Sequence, residues 1–289
     1  MKYILFTLIL LGSVGTSAKE TVQVIFPFPL NPVFGHKIIE EANKLQNDWH
    51  FVLVIKPGAG GEIAVNSVKN DKNRTLLATN SSFFIRPAIS TNAKYSPDQF
   101  KLLIQQCELP MVVVSKKYKS MDEIDSNQRI TVGISGIGST THLVGMNLQE
   151  KFPNITMIPY KGAPDSLKAV LGGEIDISIG FLKQLKGNIE AGSVVALGQT
   201  GTYAYMRIPT FKRQNLDHIS NNFFLAVSKD IDPKLFEEWK KIFGQANLTP
   251  AVQNSYSDEF CKPMKSGSSW INEQQNLWKI LSKELKVEE

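Results

Sequence analysis

The sequence predicts an α/β protein of two lobes, each a mostly parallel sheet flanked by helices. Three observations lead there. Strand-like and helix-like segments alternate from Val22 onward, the signature of layered α/β architecture. The alternation lapses after Val114 and restarts at Ile130, which suggests a second lobe with its own parallel sheet. A late apolar segment, Phe223 to Val227, could carry the chain back to the first lobe. Two connecting strands of this kind make a hinge, with a ligand site between the lobes. The expected boundaries are 1–18 for a signal peptide, 19–115 plus 226–289 for lobe 1, and 116–225 for lobe 2.

The first strand is Val22 to Phe26, five residues rich in β-branched and aromatic side chains, ending in the turn Pro27 to Pro32. A helix follows with Ile38, Ile39, Ala42 and Leu45 at helical spacing. Phe51 to Ile55 is a second strand; Lys56-Pro57-Gly58-Ala59-Gly60-Gly61 turns it into a helix carrying Ile63, Val65 and Val68. Thr75 to Thr79 is a third strand, followed by the polar turn Asn80-Ser81-Ser82. Phe100 to Val114 is strand-rich and precedes a short helix at Met121 to Ile124. From Ile130 the order is strand, helix, strand at Thr156 to Ile158, helix, strand at Ile175 to Ile179, then a strand at Val194 to Leu197. The tail from Pro233, with Leu235, Trp239, Ile242 and Phe243, reads as helix, and so does the Lys- and Glu-rich end.

Composition narrows the function classes. A hydrophobic fraction of 42% and a charged fraction of 20% belong to a globular chain. The net charge of +5 is scattered, with no run of five basic residues, so a nucleic-acid or membrane patch is not expected. Lys2, the apolar run Tyr3 to Leu11 and the small residues up to Ala18 have the layout of a secretory signal peptide, too short to span a bilayer comfortably. The mature chain is expected to begin at Lys19 and to be exported. In an oxidising compartment Cys107 and Cys261 could pair, or could remain two buried thiols. Two cysteines without CxxC spacing and four scattered histidines form no recognisable metal site, and no cofactor is expected.

Two glycine-rich turns that open helices carry the functional signal. Ser135-Gly136-Ile137-Gly138-Ser139-Thr140-Thr141 leads into Leu143, Val144 and Leu148; Tyr160-Lys161-Gly162-Ala163-Pro164-Asp165 leads into Leu167, Val170 and Leu171 and stops at Gly172-Gly173. Backbone N–H groups at such helix starts hold anions. Ser and Thr are also the usual capping residues, so Ser139 to Thr141 serve either purpose. At the second turn the N–H groups of Gly162 and Ala163 are better ligand donors than Lys161, which faces solvent, and Asp165 complements the helix dipole. His142 is better read as a structural hydrogen-bonding side chain than as a base, because no nucleophile elbow or acidic partner accompanies it. A secreted serine hydrolase built on Ser139 and His142 is the competing enzyme class. Lys56 to Gly61 lacks the phosphate-loop spacing. Asn80, Ser81 and Ser82 follow a strand, where open α/β sheets bind ligands.

These segments occur with Pro27-Phe28-Pro29 after the first strand, Leu171-Gly172-Gly173-Glu174-Ile175-Asp176 and Arg207-Ile208-Pro209-Thr210. In this order and spacing the chain resembles the Bug family of periplasmic solute-binding proteins, the extracytoplasmic receptors of tripartite tricarboxylate transporters, over nearly the whole mature chain. The resemblance implies a two-lobed Venus flytrap of type II-like build that closes on a small carboxylate without covalent chemistry. It implies a periplasmic monomer whose partners are the transporter's membrane subunits; a receptor feeding a sensor kinase is the alternative. Direct ligand contacts would come from Thr79, Ser81, Ser135, Ser139 and Thr140, with Asn80, Gly136, Asp176 and Phe181 also in the ligand set. Water-holding loops would contain Phe28, Pro29, Leu30 and Asn31 on one lobe and Tyr160, Gly162 and Ala163 on the other. The family's Gly-Gly pair and aspartate after Pro-Phe-Pro are replaced here by Leu30-Asn31-Pro32-Val33-Phe34-Gly35. That loop is expected to decide which ligand binds, with Phe34 shaping a more apolar pocket.

Overall fold

In a computed structural model that describes residues 19–28, 33–58, 61–71, 73–89, 93–216, 221–264 and 274, the chain forms two sheets with helices packed on them. The leader segment 1–18, the Lys- and Glu-rich end and the residues Pro29 to Pro32 lie outside the described residues. The first sheet has six strands in the order β11-β4-β10-β3-β1-β2. Strands β1 (Glu20–Phe26), β2 (Trp49–Ile55) and β3 (Thr75–Asn80) run parallel. Strand β10 (Asn222–Ser228) is antiparallel to both β3 and β4 (Phe100–Glu108), and β11 (Lys262–Pro263) pairs on the outer edge of β4. The second sheet has five strands in the order β7-β6-β8-β5-β9.

Local chemistry accounts for these elements. Helix α1 (Val33–Lys44) buries Phe34, Ile38, Ile39 and Ala42, a single stripe at helical spacing, against the first sheet. Helix α7 (Pro233–Asn247) begins where Asp232 accepts hydrogen bonds from the backbone N–H of Lys234 at 2.8 Å and of Leu235 at 3.2 Å, with proline at the first helical position. It buries Trp239, Ile242, Phe243 and Ala246, and Trp239 meets Phe51 of β2 edge-on. Helices α2 (Glu62–Asn70) and α3 (Ser82–Ile89) cover the other face of the same sheet, in a cluster that continues through the junction into the second sheet.

The second sheet is mostly parallel, as expected, with one strand reversed. Strands β6 (Ile130–Ile134), β7 (Ile155–Pro159) and β8 (Ile177–Phe181) are parallel, but β5 (Met111–Ser115) is antiparallel to both β8 and β9 (Val195–Gln199). The boundaries move accordingly. Strand β5, expected on lobe 1 up to residue 115, pairs in the second sheet, and β10 from Asn222, expected to start lobe 1 at 226, pairs in the first. The crossovers therefore lie at Leu109-Pro110 and at Asn221. Proline cannot donate a ladder hydrogen bond, so Pro110 ends the pairing of β4 and lets the chain change sheets. Helices α4 (Thr140–Lys151), α5 (Ala163–Gly172) and α6 (Leu182–Glu190) flank the second sheet. Helices α3, α6 and α8 (Pro250–Asp258) and strand β11 were not expected. The near-continuous apolar run Phe83-Phe84-Ile85 hides helical periodicity in α3, and Pro87 lies inside that helix.

Cys107 near the end of β4 and Cys261 beside β11 form a disulfide, with Cα atoms 5.5 Å apart and 154 residues between them in sequence. It resolves the two-way reading of these cysteines in favour of pairing. Both are buried among Phe34, Phe223 and Tyr256, so the bridge ties the segment after α8 into the first sheet's core. Closing so long a loop restricts the unfolded chain strongly. The double change Cys107→Ser with Cys261→Ser should lower unfolding stability by roughly 2–5 kcal/mol. A urea or thermal denaturation midpoint equal to that of the native chain would contradict this.

Candidate functional site

The carboxyl ends of β1, β3 and β4 in one sheet face those of β6, β7 and β8 in the other across a cleft of about 580 Å³. Open α/β sheets bind ligands at these edges, because the strand-to-helix turns there present helix N-termini. Three such turns converge. Helix α3 starts at Asn80-Ser81-Ser82, α4 at Ser135 to Thr140, and α5 at Gly162-Ala163.

The α4 turn is built by its own hydroxyls. Gly136 and Gly138 take φ of +99° and +81°, which L side chains rarely adopt, and this folds the turn back beneath the helix start. Ser139 is the N-cap: its Oγ accepts from His142 N–H at 3.1 Å and donates to Gly136 O at 2.7 Å. Thr141 Oγ1 accepts from Ser135 N–H at 2.7 Å and lies 2.9 Å from Ser139 Oγ. Ser139 thus both caps the helix and lines the cleft. The first helical N–H groups, of Thr140 and Thr141, have no carbonyl one turn earlier to accept from them and are available to an anion. His142 is buried, and that burial lowers its pKa; its Nδ1 accepts from Gly138 N–H at 3.2 Å. This is the geometry of a braced turn. His142 aims at a backbone amide and Ser139 at a carbonyl, so they do not form the nucleophile–base pair that acyl transfer requires.

In the α5 turn, Asp165 and Ser166 donate their N–H groups to Gly162 O at 3.2 and 3.4 Å, and Pro164 has none. The N–H groups of Gly162 and Ala163 remain at the cleft wall. On the facing lobe Asn80 Oδ1 accepts from Ser82 N–H at 3.0 Å and Ser82 Oγ at 2.7 Å. Asn80 therefore orders the start of α3, and its amide nitrogen is the part that can donate to a ligand.

Of the residues expected at the site, Phe28, Asn80, Ser135, Ser139, Thr140, Gly162, Ala163 and Phe181 line the cleft. Pro29, Leu30 and Asn31 lie outside the described residues. The others are placed elsewhere. Thr79 is buried within β3, opposite Phe224. Ser81 accepts from Asn222 N–H at 3.0 Å and so fastens β3 to β10. Gly136 shapes the turn without lining the cleft. Phe34 packs edge-on against Phe223 and Tyr256 in the core, and its neighbour Val33 reaches the cleft instead. Tyr160 turns its ring over Gly133 among the second sheet's apolar residues.

Asp176 is far from the cleft in kind as well as place, since it precedes β8 at the end opposite Phe181. Its Oδ2 accepts from Thr131 N–H at 2.8 Å and Thr131 Oγ1 at 2.9 Å, and its Oδ1 pairs with Lys117 at 3.0 Å. Desolvation would raise its pKa, but the Thr131 donors and Lys117 outweigh it and hold the carboxyl below its ordinary value.

Sequence reasoning missed the apolar half of the cleft. Phe26, Val33, Leu109 and Phe223 line it with Phe28 and Phe181. Phe28 sits edge-on to Phe26 with ring centres 5.3 Å apart, and Phe181 of one lobe meets Phe223 of the other at 6.2 Å. Glu259, just past α8, was missed too. It is buried at the cleft, which raises its pKa, against the opposing pull of Lys183 and of a hydrogen bond from Val33 N–H. Residues arriving from distant parts of the chain carry no local sequence signal. Among the described residues no group of His, Cys, Asp and Glu could hold a metal ion, and no helix is long and apolar enough to cross a membrane.

A family model described as the tripartite tricarboxylate transporter family receptor matches residues 41–287. A UPF0065 protein of Bordetella pertussis is 28% identical over 160 residues; the match spans 51% of this chain and about half, 49%, of that relative's length. The fold is similar to that of periplasmic binding protein BugD, with a TM-score of 0.82 at 20% identity over 93% of this chain and 98% of the other. It is also similar to MatC of Rhodopseudomonas palustris, solved with bound malate, with a TM-score of 0.78 at 17% identity over 91% and 99%.

Asp176→Asn tests the reassignment of that residue. It should cost about 1–3 kcal/mol of stability, from the weakened bonds to Thr131 and Lys117, and leave carboxylate affinity unchanged. Because the native pKa is depressed, the contribution of Asp176 is present above its unfolded pKa and disappears as pH falls through the native value. The pH dependence of denaturation should therefore flatten in the acid range in the variant. Lost ligand binding with unchanged stability would return Asp176 to the ligand set.

Proposed function

We propose that this chain, which belongs to the tripartite tricarboxylate transporter receptor family, is a periplasmic receptor that holds a small organic carboxylate between its lobes. It delivers that ligand to the membrane subunits of the transporter and performs no covalent chemistry on it. The observation that carries this reading is the convergence of three helix N-termini on one cleft. Their N–H groups and the hydroxyls of Ser135 and Thr140 offer donors in excess of acceptors, and the positive ends of three dipoles point at the same space. A carboxylate satisfies such donors and matches the dipoles; a neutral sugar lacks the charge they favour, and a cation is repelled. The malate seen in MatC is a ligand of the same chemical class. An N-terminal segment that is cleaved on export completes the reading, with the mature chain acting as a monomer.

Closure must then be driven by the ligand binding the closed form more tightly than the open one. Titration calorimetry of the mature chain against mono-, di- and tricarboxylates, sugars and amines tests the class. At least one carboxylate should bind and the sugars and amines should not; binding confined to a sugar or amine rejects the reading. Thr140→Val removes a hydroxyl at the helix start and nearly preserves shape. It should weaken the tightest-binding carboxylate by roughly 1–3 kcal/mol. An unchanged affinity would limit Thr140 to the architecture of α4.

A further inference from the structure

We infer that the preferred ligand is a monocarboxylate with an apolar body, an aryl ring or an alkyl chain, whose head meets the helix N-termini while its body lies among Phe28, Phe181 and Phe223. This rests on the carboxylate-receptor reading and narrows it. The cleft is divided chemically. Its donors belong to the turns before α3, α4 and α5, whereas the wall between them is carbon: Phe26, Phe28 and Val33 from the first strand and its helix, Leu109 and Phe223 at the crossovers, and Phe181 at the end of β8. Edge-to-face contacts between Phe26 and Phe28, and the tilted approach of Phe181 to Phe223, present ring faces and edges of the kind that pack against another apolar group.

A second carboxylate or several hydroxyls on the part of the ligand that lies against this wall would be desolvated there without partners, which is unfavourable. The charged groups of the cleft do not repair that. Lys161 and Lys183 are exposed, and Lys183 Nζ already donates to Asp258 O at 2.8 Å. Asp165 and Glu259 are acidic, and Glu259 is the charged side chain that is buried on lobe 1's side of the cleft. A carboxylate brought to that side meets another carboxylate. An apolar body placed there meets carbon and releases water from the wall.

The test is titration calorimetry of the mature chain with benzoate, hexanoate, malate, citrate and benzyl alcohol. Benzoate or hexanoate should bind roughly tenfold or more tightly than malate and citrate, and benzyl alcohol, lacking the charge, should bind far more weakly than benzoate. Whichever of benzoate and hexanoate leads identifies the body as aryl or alkyl. Phe181→Ala should weaken the leading monocarboxylate roughly tenfold and malate by clearly less. Phe28→Ala, at a half-buried position on the other lobe, gives the same readout should Phe181→Ala fail to fold. Malate or citrate binding as tightly as the monocarboxylates overturns the inference and leaves the receptor reading intact. Benzyl alcohol binding as well as benzoate overturns the inference through its head group. No binding by any carboxylate overturns both.

Discussion

The arrangement depends on one pair of crossovers. Leu109 donates its N–H to Asn221 O at 2.9 Å, and two residues further Thr200 N–H reaches Met111 O at 2.9 Å while Met111 N–H reaches Thr200 Oγ1 at 3.1 Å. The first bond holds the two crossing segments side by side, and the other two fix the start of β5 to the residue after β9. The carboxyl edges of the two sheets then face each other, and the turns after β1, β3, β6, β7 and β8 open into the same cleft. Ligand chemistry is a consequence of that orientation, because helix N-termini follow strands in βα units.

The cleft then combines two requirements that compete elsewhere. Anion binding needs unpaired N–H groups, which are costly if buried without a partner, whereas apolar burial needs a wall free of them. The structure separates the two by element. Turns before helices carry donors; strand ends and crossovers carry phenylalanine. The α4 turn uses Ser139 and Thr141 to satisfy its own backbone, so that the donors left over are the few at Thr140 and Thr141 rather than an unsatisfied loop.

Much of this was legible in the amino-acid sequence where the signal is local. The βα alternation located the strands of both sheets except β11, and the Gly136 and Gly138 spacing marked the α4 turn because positive φ has few other solutions. Proline at Pro164 and Pro233 marked helix starts for a similar reason. What stayed illegible is non-local. Asp176 looked like a site residue in its motif, yet its carboxylate is committed to Thr131, which becomes its neighbour only when β8 pairs with β6. Phe34 was expected to shape the pocket from an atypical loop, but it belongs to a helix whose first inward position it fills. Membership of β5 in the second sheet depends on antiparallel pairing with β8, and no period in β5 itself announces the direction of a partner.

The disulfide connects these levels. Cys261 is held to β4, and its two predecessors are thereby placed at the lobe boundary: Glu259 lies in the cleft and Phe260, at φ +60°, projects toward the second lobe. There its ring stands edge-on to Tyr205 at 5.6 Å and beneath the Lys186 ammonium at 5.7 Å, while Lys183 bonds Asp258 O next door. A non-glycine residue at positive φ is strained and persists where its surroundings determine it. Here they do, with the bridge on one side and α8 on the other. The contacts Phe260 makes across the boundary thereby tie the segment after α8 to the second lobe.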